Sequence, residues 1–196
     1  MIFVLATNNP GKIREMQEIL PEFGIKFVTR KEVGIDIEID ETGSTFLENA
    51  TLKAKAICSL SGLASIADDS GLMIDALDGA PGVYTSSFGG EGLSDSERCD
   101  YLLQQLKDKK QRNAKFVSTI VCAFPDGEVI SAYGECCGKI ADAPTGSGGF
   151  GYDPVFIAEG FCKTMAELTP DEKNTVSHRG AALRKFAHLF RERGIM

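Results

Sequence analysis

Short apolar runs alternate with amphipathic stretches along the chain. Residues 2–6 read Ile-Phe-Val-Leu-Ala, an unbroken apolar run that is typical of a strand covered on both faces. Residues 64–68 form a second apolar run, which ends at an aspartate. Residues 115–124 and 128–133 are joined by Pro125-Asp126-Gly127, a pattern that predicts a hairpin.

Helix start signals lie between these predicted strands. Asn9 followed by Pro10 predicts the start of a first helix, with Asn9 as the N-cap. The further predicted starts are Thr45-x-x-Glu48, Ser94-x-x-Glu97, Thr169-Pro170-x-Glu172 and Ser177. Three of these have the capping-box pattern, in which a hydroxyl residue is followed three positions later by glutamate. Helices that separate the strands, together with one hairpin, predict an α/β fold with a mixed sheet.

Length and composition limit the class of protein. The chain has 196 residues, of which 43% are hydrophobic and 25% are charged. These fractions are ordinary for a globular protein and exclude a disordered chain, a collagen and a coiled coil. We therefore expect a single domain over residues 1–196, with two lobes.

The charge balance and the N-terminal sequence bear on partners and location. Lysine and arginine number 21 and aspartate and glutamate 28, which gives a net charge of −7. A nucleic-acid partner is not expected, because such binding usually needs a basic face. No apolar run approaches 18 residues, and residues 1–7 lack the basic start of a secretion signal. We therefore expect a cytoplasmic protein without a membrane partner.

The cysteines do not have the spacing of a metal site. The six cysteines are residues 58, 99, 122, 136, 137 and 162. None forms a Cys-x-x-Cys pair, and the chain has only two histidines, so a structural zinc site is not expected. Apolar neighbours, as in Ile57-Cys58, Val121-Cys122 and Phe161-Cys162, predict that most of these cysteines are buried free thiols. The adjacent pair Cys136-Cys137 is the one that merits attention for redox chemistry.

Residues 7–12, Thr-Asn-Asn-Pro-Gly-Lys, join the first strand to the first helix. A helix N-terminus offers backbone N–H groups and the positive end of a dipole, which together favour an anion. A lysine in the first helical turn is electrostatically unfavourable unless a phosphate binds both the lysine and the helix N-terminus. Lys12 therefore supports an anion site here. The alternative is an ordinary turn with a solvated lysine.

Lys53 has an unusual position on the second predicted helix. The predicted apolar stripe of this helix comprises Phe46, Ala50, Ile57 and Leu60. At 100° per residue Lys53 falls on that stripe, whereas Lys55 falls on the opposite face. Lys53 therefore either extends along the apolar surface to water or points into a cleft.

Two adjacent carboxylates, Asp68 and Asp69, follow the apolar run of residues 64–68. Ligands of α/β proteins often bind where strands end. Adjacent strand residues point to opposite faces, so the two aspartates are expected to have different roles. The loop Asp40-Glu41-Thr42-Gly43 could supply a further carboxylate, and oxygen ligands suit Mg²⁺. The alternative is an Asp-Ser-Gly turn with local hydrogen bonds.

Two later segments also have candidate binding residues. Residues 145–154 contain four glycines, which allow the backbone to approach a ligand closely. Phe150 and Tyr152 in this segment could stack on a nucleobase, and the alternative is a lid with both rings packed inward. Lys173 and residues 177–180, Ser-His-Arg-Gly, supply donors at a helix start. These donors either bind a base carbonyl or a phosphate, or are simply solvated.

Taken together, these segments resemble the inosine triphosphate pyrophosphatases, also called dITP/XTP pyrophosphatases. The matching pieces are Thr7-Asn8-x-x-Gly11-Lys12, residues 41–54, Ala67-Asp68-Asp69-Ser70-Gly71-Leu72, residues 148–154 and Ser177-His178-Arg179-Gly180. They keep the family's order from residue 3 to about residue 185. Each piece is a weak signal, but all five in order are specific.

The resemblance implies a fold, an activity and a cofactor. The implied fold is a two-lobed α/β domain with a long mixed central sheet flanked by helices. The implied activity is hydrolysis of ITP, dITP and XTP to the monophosphate and pyrophosphate, with Mg²⁺ as cofactor. This reaction removes deaminated purines from the nucleotide pool. A homodimer is also implied.

The resemblance also assigns roles to residues. It implies that Asp69 is the proton acceptor and that Glu41 and Asp69 bind the metal. The implied substrate-binding residues are Thr7, Asn8, Asn9, Pro10, Gly11, Lys12, Lys53, Ser70, Phe150, Gly151, Tyr152, Asp153, Lys173, His178 and Arg179. One position departs from the family, because Ser87 stands where the family usually has arginine.

Two other classes of function are compatible with the sequence. One is a Maf-type nucleotide pyrophosphatase, which catalyses the same reaction with other substrate preferences. The other is a nucleotide-binding module without catalysis, which the intact carboxylates Glu41, Asp68 and Asp69 disfavour.

Overall fold

The computed structural model describes residues 1–195 and contains, within them, five α-helices and six strands. The strands are β1 (Ile2–Leu5), β2 (Lys26–Thr29), β3 (Ser65–Ile74), β4 (Asn113–Ala123), β5 (Val129–Ile140) and β6 (Phe156–Ala158). The helices are α1 (Pro10–Ile19), α2 (Phe46–Ser61), α3 (Asp95–Gln105), α4 (Pro170–Val176) and α5 (His178–Glu192).

The six strands form one mixed sheet in the order β2-β1-β3-β4-β5-β6. Strand β1 is parallel to β2 and β3, whereas β5 is antiparallel to β6. This confirms the predicted α/β fold with a mixed sheet. The predicted strand at residues 64–68 is longer than expected, because β3 continues through both aspartates to Ile74. The predicted hairpin is also extended, since β5 runs to Ile140.

The chain divides into two compact units, and strands β3, β4 and β5 contribute residues to both. The first unit comprises residues 1–69, residues 118–134 and the chain from Arg179 on. The second unit comprises residues 70–117 and 135–178. The expectation of a single two-lobed domain stays a prediction.

Both faces of the first unit's sheet are covered by helices. Phe3 and Leu5 of β1 join an apolar cluster with residues of α1 and α5. Val4 and Ala6, which alternate with them, join a separate cluster with residues of α2. Because successive strand side chains point to opposite faces, this division explains why residues 2–6 form an unbroken apolar run.

The helix starts predicted from the sequence are confirmed. The Asn9 side chain accepts hydrogen bonds from the backbone N–H groups of Gly11 and Lys12, as an N-cap residue does. Helices α2, α3 and α4 each begin with a complete capping box, and their N-cap residues are Thr45, Ser94 and Thr169.

The predicted apolar stripe of α2 is partly wrong. Leu60 is 57% exposed, although Ala50 and Ile57 are fully buried. Leu60 lies in the last turn, one residue before the helix ends at Ser61. Its angular position is that of the buried face, but at the end of the helix this position does not place it in the core.

Four of the six cysteines are buried, and all six are free thiols. Burial raises the pKa of Cys99 and that of Cys136 to about 12, so both thiols keep their protons. Cys137 and Cys162 are exposed, and the expectation that Cys162 is buried beside Phe161 is therefore wrong. Within residues 1–195, no helix has the length and apolar character needed to cross a membrane.

The second unit has its own core, which depends on close packing between β5 and β6. Its buried cluster includes Leu72, Leu102, Tyr152 and Phe156. Gly138 of β5 pairs with Ala158 of β6. A Cβ atom at Gly138 would lie 2.2 Å from the backbone oxygen of Ile157 and 2.7 Å from the Phe156 ring. Only glycine therefore allows β6 to approach β5 at this point.

We predict that Gly138→Ala lowers the free energy of unfolding by roughly 1–3 kcal/mol, because overpacking forces the backbone apart. Denaturation by urea measures this loss. The matched control is Cys137→Ala, which changes the exposed neighbouring residue on the same strand and is expected to have little effect. Equal stability of the two variants would contradict the prediction.

Candidate active site

Asp68 and Asp69 lie next to each other on β3 but have different partners. The carboxylate of Asp68 accepts a hydrogen bond from Ser118 Oγ at 2.5 Å and lies 3.0 Å from Lys12 Nζ. The carboxylate of Asp69 lies 2.8 Å from Lys53 Nζ. The two aspartates have separate partners because strand geometry turns them to opposite faces, and their separate roles stay a prediction.

Asp68 is the centre of a buried ion-pair network. It is 0% exposed, and Nη2 of Arg179 lies 3.0 Å from its carboxylate. Burial by itself would raise the pKa of Asp68, but the charges of Arg179 and Lys12 outweigh burial and hold the pKa far below its usual range. The carboxylate therefore stays ionised.

Arg179 joins Asp68 to a second buried carboxylate. Its guanidinium binds Asp68 through Nε and Nη2, and Nη1 binds Glu15 of α1. Burial opposes the charge of Arg179, but the two carboxylates raise its pKa above the ordinary value. Sequence reasoning missed Glu15. Its position beside Met16 on the buried face of α1 was the available signal.

Lys53 joins the other two candidate carboxylates. Its Nζ atom lies 2.8 Å from Asp69 Oδ1 and 3.0 Å from Glu41 Oε2. Lys53 is 7% exposed, and Lys55 is exposed, which confirms that Lys53 lies on the buried face of α2. Burial would lower the pKa of Lys53, but the charges of Asp69 and Glu41 raise it overall.

The two carboxylates that contact Lys53 have opposite pKa shifts. Burial raises the pKa of Asp69 to about 6, and the charges of Lys53 and Lys12 only partly oppose this effect. Glu41 is less buried. Burial by itself would raise its pKa, but the charges of Lys53 and Lys12 and the hydrogen bonds with Asp69 and Lys53 together lower it. Asp69 is therefore the more basic carboxylate of the two.

The donor set around Lys53 fits a hard divalent cation that shares its coordination with a ligand. Glu41 and Asp69 converge on one ammonium group, so both can face a single cation. Within residues 1–195 no group of three or more histidine, cysteine, aspartate or glutamate side chains could hold a metal. Mg²⁺ is usually bound through one or two carboxylates plus substrate phosphates and water, and this pair meets that requirement.

The segment from Thr7 to Lys12 differs from the expected anion site in one respect. Thr7 Oγ1 accepts a hydrogen bond from Asn9 N–H, and Asn9 Oδ1 accepts from Gly11 and Lys12 N–H. The backbone N–H groups of Gly11 and Lys12 are therefore bound by the predicted N-cap residue, and the anion site at this helix N-terminus stays a prediction. Lys12 supplies positive charge there. Its pKa is lowered by burial even though Asp68 lies beside it.

In the second unit, the glycine-rich segment is built around Asp153. Asp153 Oδ2 accepts from Phe150 N–H at 2.8 Å and contacts Lys173 Nζ at 2.5 Å. Lys173 Nζ also lies 4.9 Å from the centre of the Phe150 ring. A Cβ atom at Gly149 would lie 2.1 Å from Asp153 Oδ2, so a glycine is required there.

Tyr152 does not present its ring as expected. It is 2% exposed, belongs to the apolar core of the second unit, and donates a hydrogen bond from its hydroxyl to the backbone oxygen of Thr85. The prediction that Tyr152 stacks on a nucleobase is therefore wrong. Phe150, the other ring of the pair, is only half-buried.

The structure gives the remaining predicted residues distinct positions. His178 is buried and stacks on Phe116, with ring centres 4.7 Å apart. Ser70 is half-buried in β3 directly after Asp69. Asn8 and Pro10 are exposed at the start of α1. The structure thus brings Lys12 to Asp68, Lys53 to Glu41 and Asp69, and Lys173 to Phe150 and Asp153.

The protein has an α/β fold and lysines paired with carboxylates. It also has an aromatic ring beside a buried lysine. These are features of a nucleotide-binding enzyme. The model of the Ham1 family matches residues 3–189. The chain therefore belongs to the Ham1 family.

Relatives and solved structures agree with this assignment. The chain is 48% identical over 185 residues to a dITP/XTP pyrophosphatase of Pectobacterium atrosepticum, which covers 92% of this chain and 93% of that protein. It is 46% identical over 188 residues to a dITP/XTP pyrophosphatase of Bacillus subtilis, with 95% of each covered. A HAM1 protein structure from Coxiella burnetii superposes with a TM-score of 0.89 at 41% identity, covering 98% of this chain and 99% of that one. The resemblance inferred from the motifs is confirmed.

We predict opposite effects on stability for the two neighbouring aspartates. Asp68→Asn leaves the charges of Arg179 and Lys12 without their shared carboxylate, and is expected to cost roughly 3–5 kcal/mol of unfolding free energy. In the wild-type protein, burial disfavours the ionised form of Asp69. Asp69→Asn removes this carboxylate and is therefore expected to change the stability little or to raise it. Urea denaturation at neutral pH compares them, and an equal loss in both variants would refute this assignment.

Proposed function

We propose that this chain hydrolyses dITP, XTP and ITP between the α and β phosphorus atoms, giving the nucleoside monophosphate and pyrophosphate. It is a nucleoside triphosphate pyrophosphatase that removes deaminated purine nucleotides. The observation that carries the proposal is the convergence of Glu41 and Asp69 on Lys53. This arrangement lies in a chain that is 46–48% identical to dITP/XTP pyrophosphatases.

Lys12 and Lys53 bind the phosphates in this proposal. Both are largely buried, and a close charge contact is worth ~4 kcal/mol at an effective dielectric constant near 20, against ~1 kcal/mol in bulk water. Burial disfavours the charge of Lys12, and a bound phosphate would offset that cost. Thr7, Asn8, Asn9, Pro10, Gly11 and Ser70 are the proposed neighbouring contacts.

Glu41 and Asp69 would hold the metal, which we propose to be Mg²⁺. The ion would supply positive charge for the phosphates and for the pyrophosphate leaving group. Asp69 is the proposed proton acceptor for the attacking water. Its position beside Lys53 and Glu41, the proposed phosphate and metal contacts, supports this role.

Phe150, Gly151, Asp153, Lys173 and His178 are the proposed contacts to the purine base. Hypoxanthine and xanthine carry an oxygen at position 6, which accepts a hydrogen bond, whereas adenine carries an amine that donates one. A buried donor facing adenine would be left unpaired, at a cost of roughly 1–3 kcal/mol. The expected base contact of Arg179 requires a change of partner, because its guanidinium binds Asp68 and Glu15.

Two further properties are proposed. From the family resemblance we propose that the protein forms a homodimer, which sedimentation analysis would test. We also propose a cytoplasmic location, as expected from the sequence, which cell fractionation would test.

We predict that Asp69→Asn lowers kcat for dITP by at least about 100-fold, because loss of a general base typically costs 10²–10⁴-fold. Pyrophosphate release is measured with Mg²⁺ for dITP, ITP, XTP, dUTP, m7GTP, GTP and ATP. The matched control is Asp108→Asn, an exposed aspartate of the second unit, which is expected to leave kcat unchanged. Preference for dUTP or m7GTP would favour a Maf-type enzyme. Saturable binding of ITP without pyrophosphate release would indicate a module without catalysis.

We predict that Lys53→Gln increases the thermal stabilisation produced by Mg²⁺. In the wild-type protein Lys53 occupies both candidate metal ligands, so an incoming cation must compete with its ammonium group. The variant should unfold at a lower temperature without metal, and Mg²⁺ should shift its Tm more than that of the wild type. Lys55→Gln, on the exposed side of the same helix, is the control. A Mg²⁺ shift no larger than in wild type would argue against metal binding by this carboxylate pair.

A further inference from the structure

Two side chains of helix α3 form hydrogen bonds with the backbone of Gly151 in the glycine-rich segment, one with its N–H group and one with its carbonyl oxygen. Asp95 Oδ2 accepts a hydrogen bond from Gly151 N–H at 2.7 Å. Cys99 Sγ donates to the backbone oxygen of Gly151 at 3.4 Å. Asp95 and Cys99 are four residues apart, so they lie one turn apart on the same side of the helix. We call these two residues the Gly151 clamp.

The thiol of Cys99 is a hydrogen-bond donor here. Cys99 is 1% exposed, and burial, aided by the charges of Asp95 and Asp100, raises its pKa to about 12. The thiol is therefore protonated at neutral pH and can donate to a carbonyl oxygen. This hydrogen bond to the Gly151 oxygen links the glycine-rich segment to the buried side of α3.

Asp95 is not needed to cap its own helix. The capping box of α3 is complete without it, because Ser94 accepts from Glu97 N–H and Glu97 accepts from the Ser94 backbone. Asp95 is exposed, yet its carboxylate points to the Gly151 N–H at 2.7 Å. The carboxylate of Asp95 thus binds the loop directly, in addition to its place in the first turn of α3.

The conformation of Gly151 explains why it needs such a clamp. Its φ of +60° lies in the left-handed region, and no atom lies within 4 Å of the position a Cβ would take. Glycine is flexible at such a point, and side-chain packing does not fix it. The adjacent residues bond to each other, since Phe150 N–H donates to Asp153 and Asp153 N–H donates to Phe150 O. The clamp ties this small turn to a rigid helix.

We propose that Asp95 and Cys99 are positioning residues that set base selectivity, by fixing the turn that presents the Phe150 ring and the Asp153–Lys173 ion pair. Neither residue touches the substrate. The inference rests on the proposed function, because it assigns to α3 the placement of the side chains proposed to contact the purine. Loosening the turn should weaken recognition of the base while leaving the reacting groups around Asp69 intact.

The test compares Asp95→Ala and Cys99→Ala with two control variants, Ser96→Ala and Asp100→Ala, at exposed positions of the same helix. Removing one clamp hydrogen bond is expected to raise KM for dITP about tenfold, the scale of about 1.4 kcal/mol, with kcat within about twofold of wild type. The ratio of kcat/KM for dITP to that for dGTP or dATP should fall by a similar factor. Cys99→Ser and Asp95→Asn keep a donor or an acceptor and should restore most of the wild-type KM.

Hydrogen exchange of the amides of residues 148–153, measured without nucleotide, supplies a readout that does not depend on activity. Exchange there should be faster in Asp95→Ala than in wild type or Asp100→Ala. Folded clamp variants with wild-type KM and selectivity would overturn the proposal, as would a fall in kcat alone. If Cys99→Ala does not fold, Asp95→Ala at the exposed end of the clamp decides the result. A wild-type protein that releases no pyrophosphate from any purine triphosphate would instead refute the proposed function, whatever the exchange data show.

Discussion

The buried carboxylate of Asp68 is the interaction on which the first unit depends. It receives Lys12 from α1, Ser118 from β4 and Arg179 from α5. Removing a carboxylate from water is costly, and that cost is offset only when charges and hydrogen bonds satisfy it completely. Asp68 therefore requires all three partners in fixed places. The strand and the two helices that carry them cannot shift independently without leaving a charge unpaired.

The adjacent residue, Asp69, which we propose as the proton acceptor, lies in a different electrostatic environment. Strand geometry turns it away from Arg179 and towards Lys53 and Glu41. The two neighbouring carboxylates therefore have different charged groups around them. Asp68 is neutralised by more positive charge and its pKa falls, whereas burial dominates at Asp69 and raises its pKa to about 6. The first carboxylate is inert and holds the structure, and the second remains basic. An enzyme that needs one reactive carboxylate on a rigid support would use this arrangement.

Local signals in the sequence predicted the local features of the structure. Capping residues such as Asn9 and Thr45 mark helix starts because their side chains bond to backbone groups two or three residues away. The apolar run in β1 and the place of Lys53 follow from periodicity alone. The Arg179–Glu15 pair joins residues 164 positions apart, and no local pattern contains it. Tyr152 was misassigned for the same reason, because its burial depends on Thr85 and on the core of the second unit. The short strands β2 and β6 were missed because their residues depend on neighbouring strands rather than on strong periodicity.

A protein with a net charge of −7 must solve a particular problem to bind a polyanion. Buried lysines are costly unless a negative charge lies near them, so each lysine proposed to contact the substrate is paired with a carboxylate in the protein itself. Lys12 pairs with Asp68, Lys53 with Asp69 and Glu41, and Lys173 with Asp153. In the proposed function, a triphosphate and its cation enter as a matched set of charges. The phosphates take over Lys12 and Lys53 while the cation takes over the carboxylates of Glu41 and Asp69. Asp68 keeps Arg179 as its partner. Binding is then an exchange of ion-pair partners in which these buried charges keep a partner of opposite sign, and such an exchange would let a chain with a net charge of −7 bind a highly charged substrate.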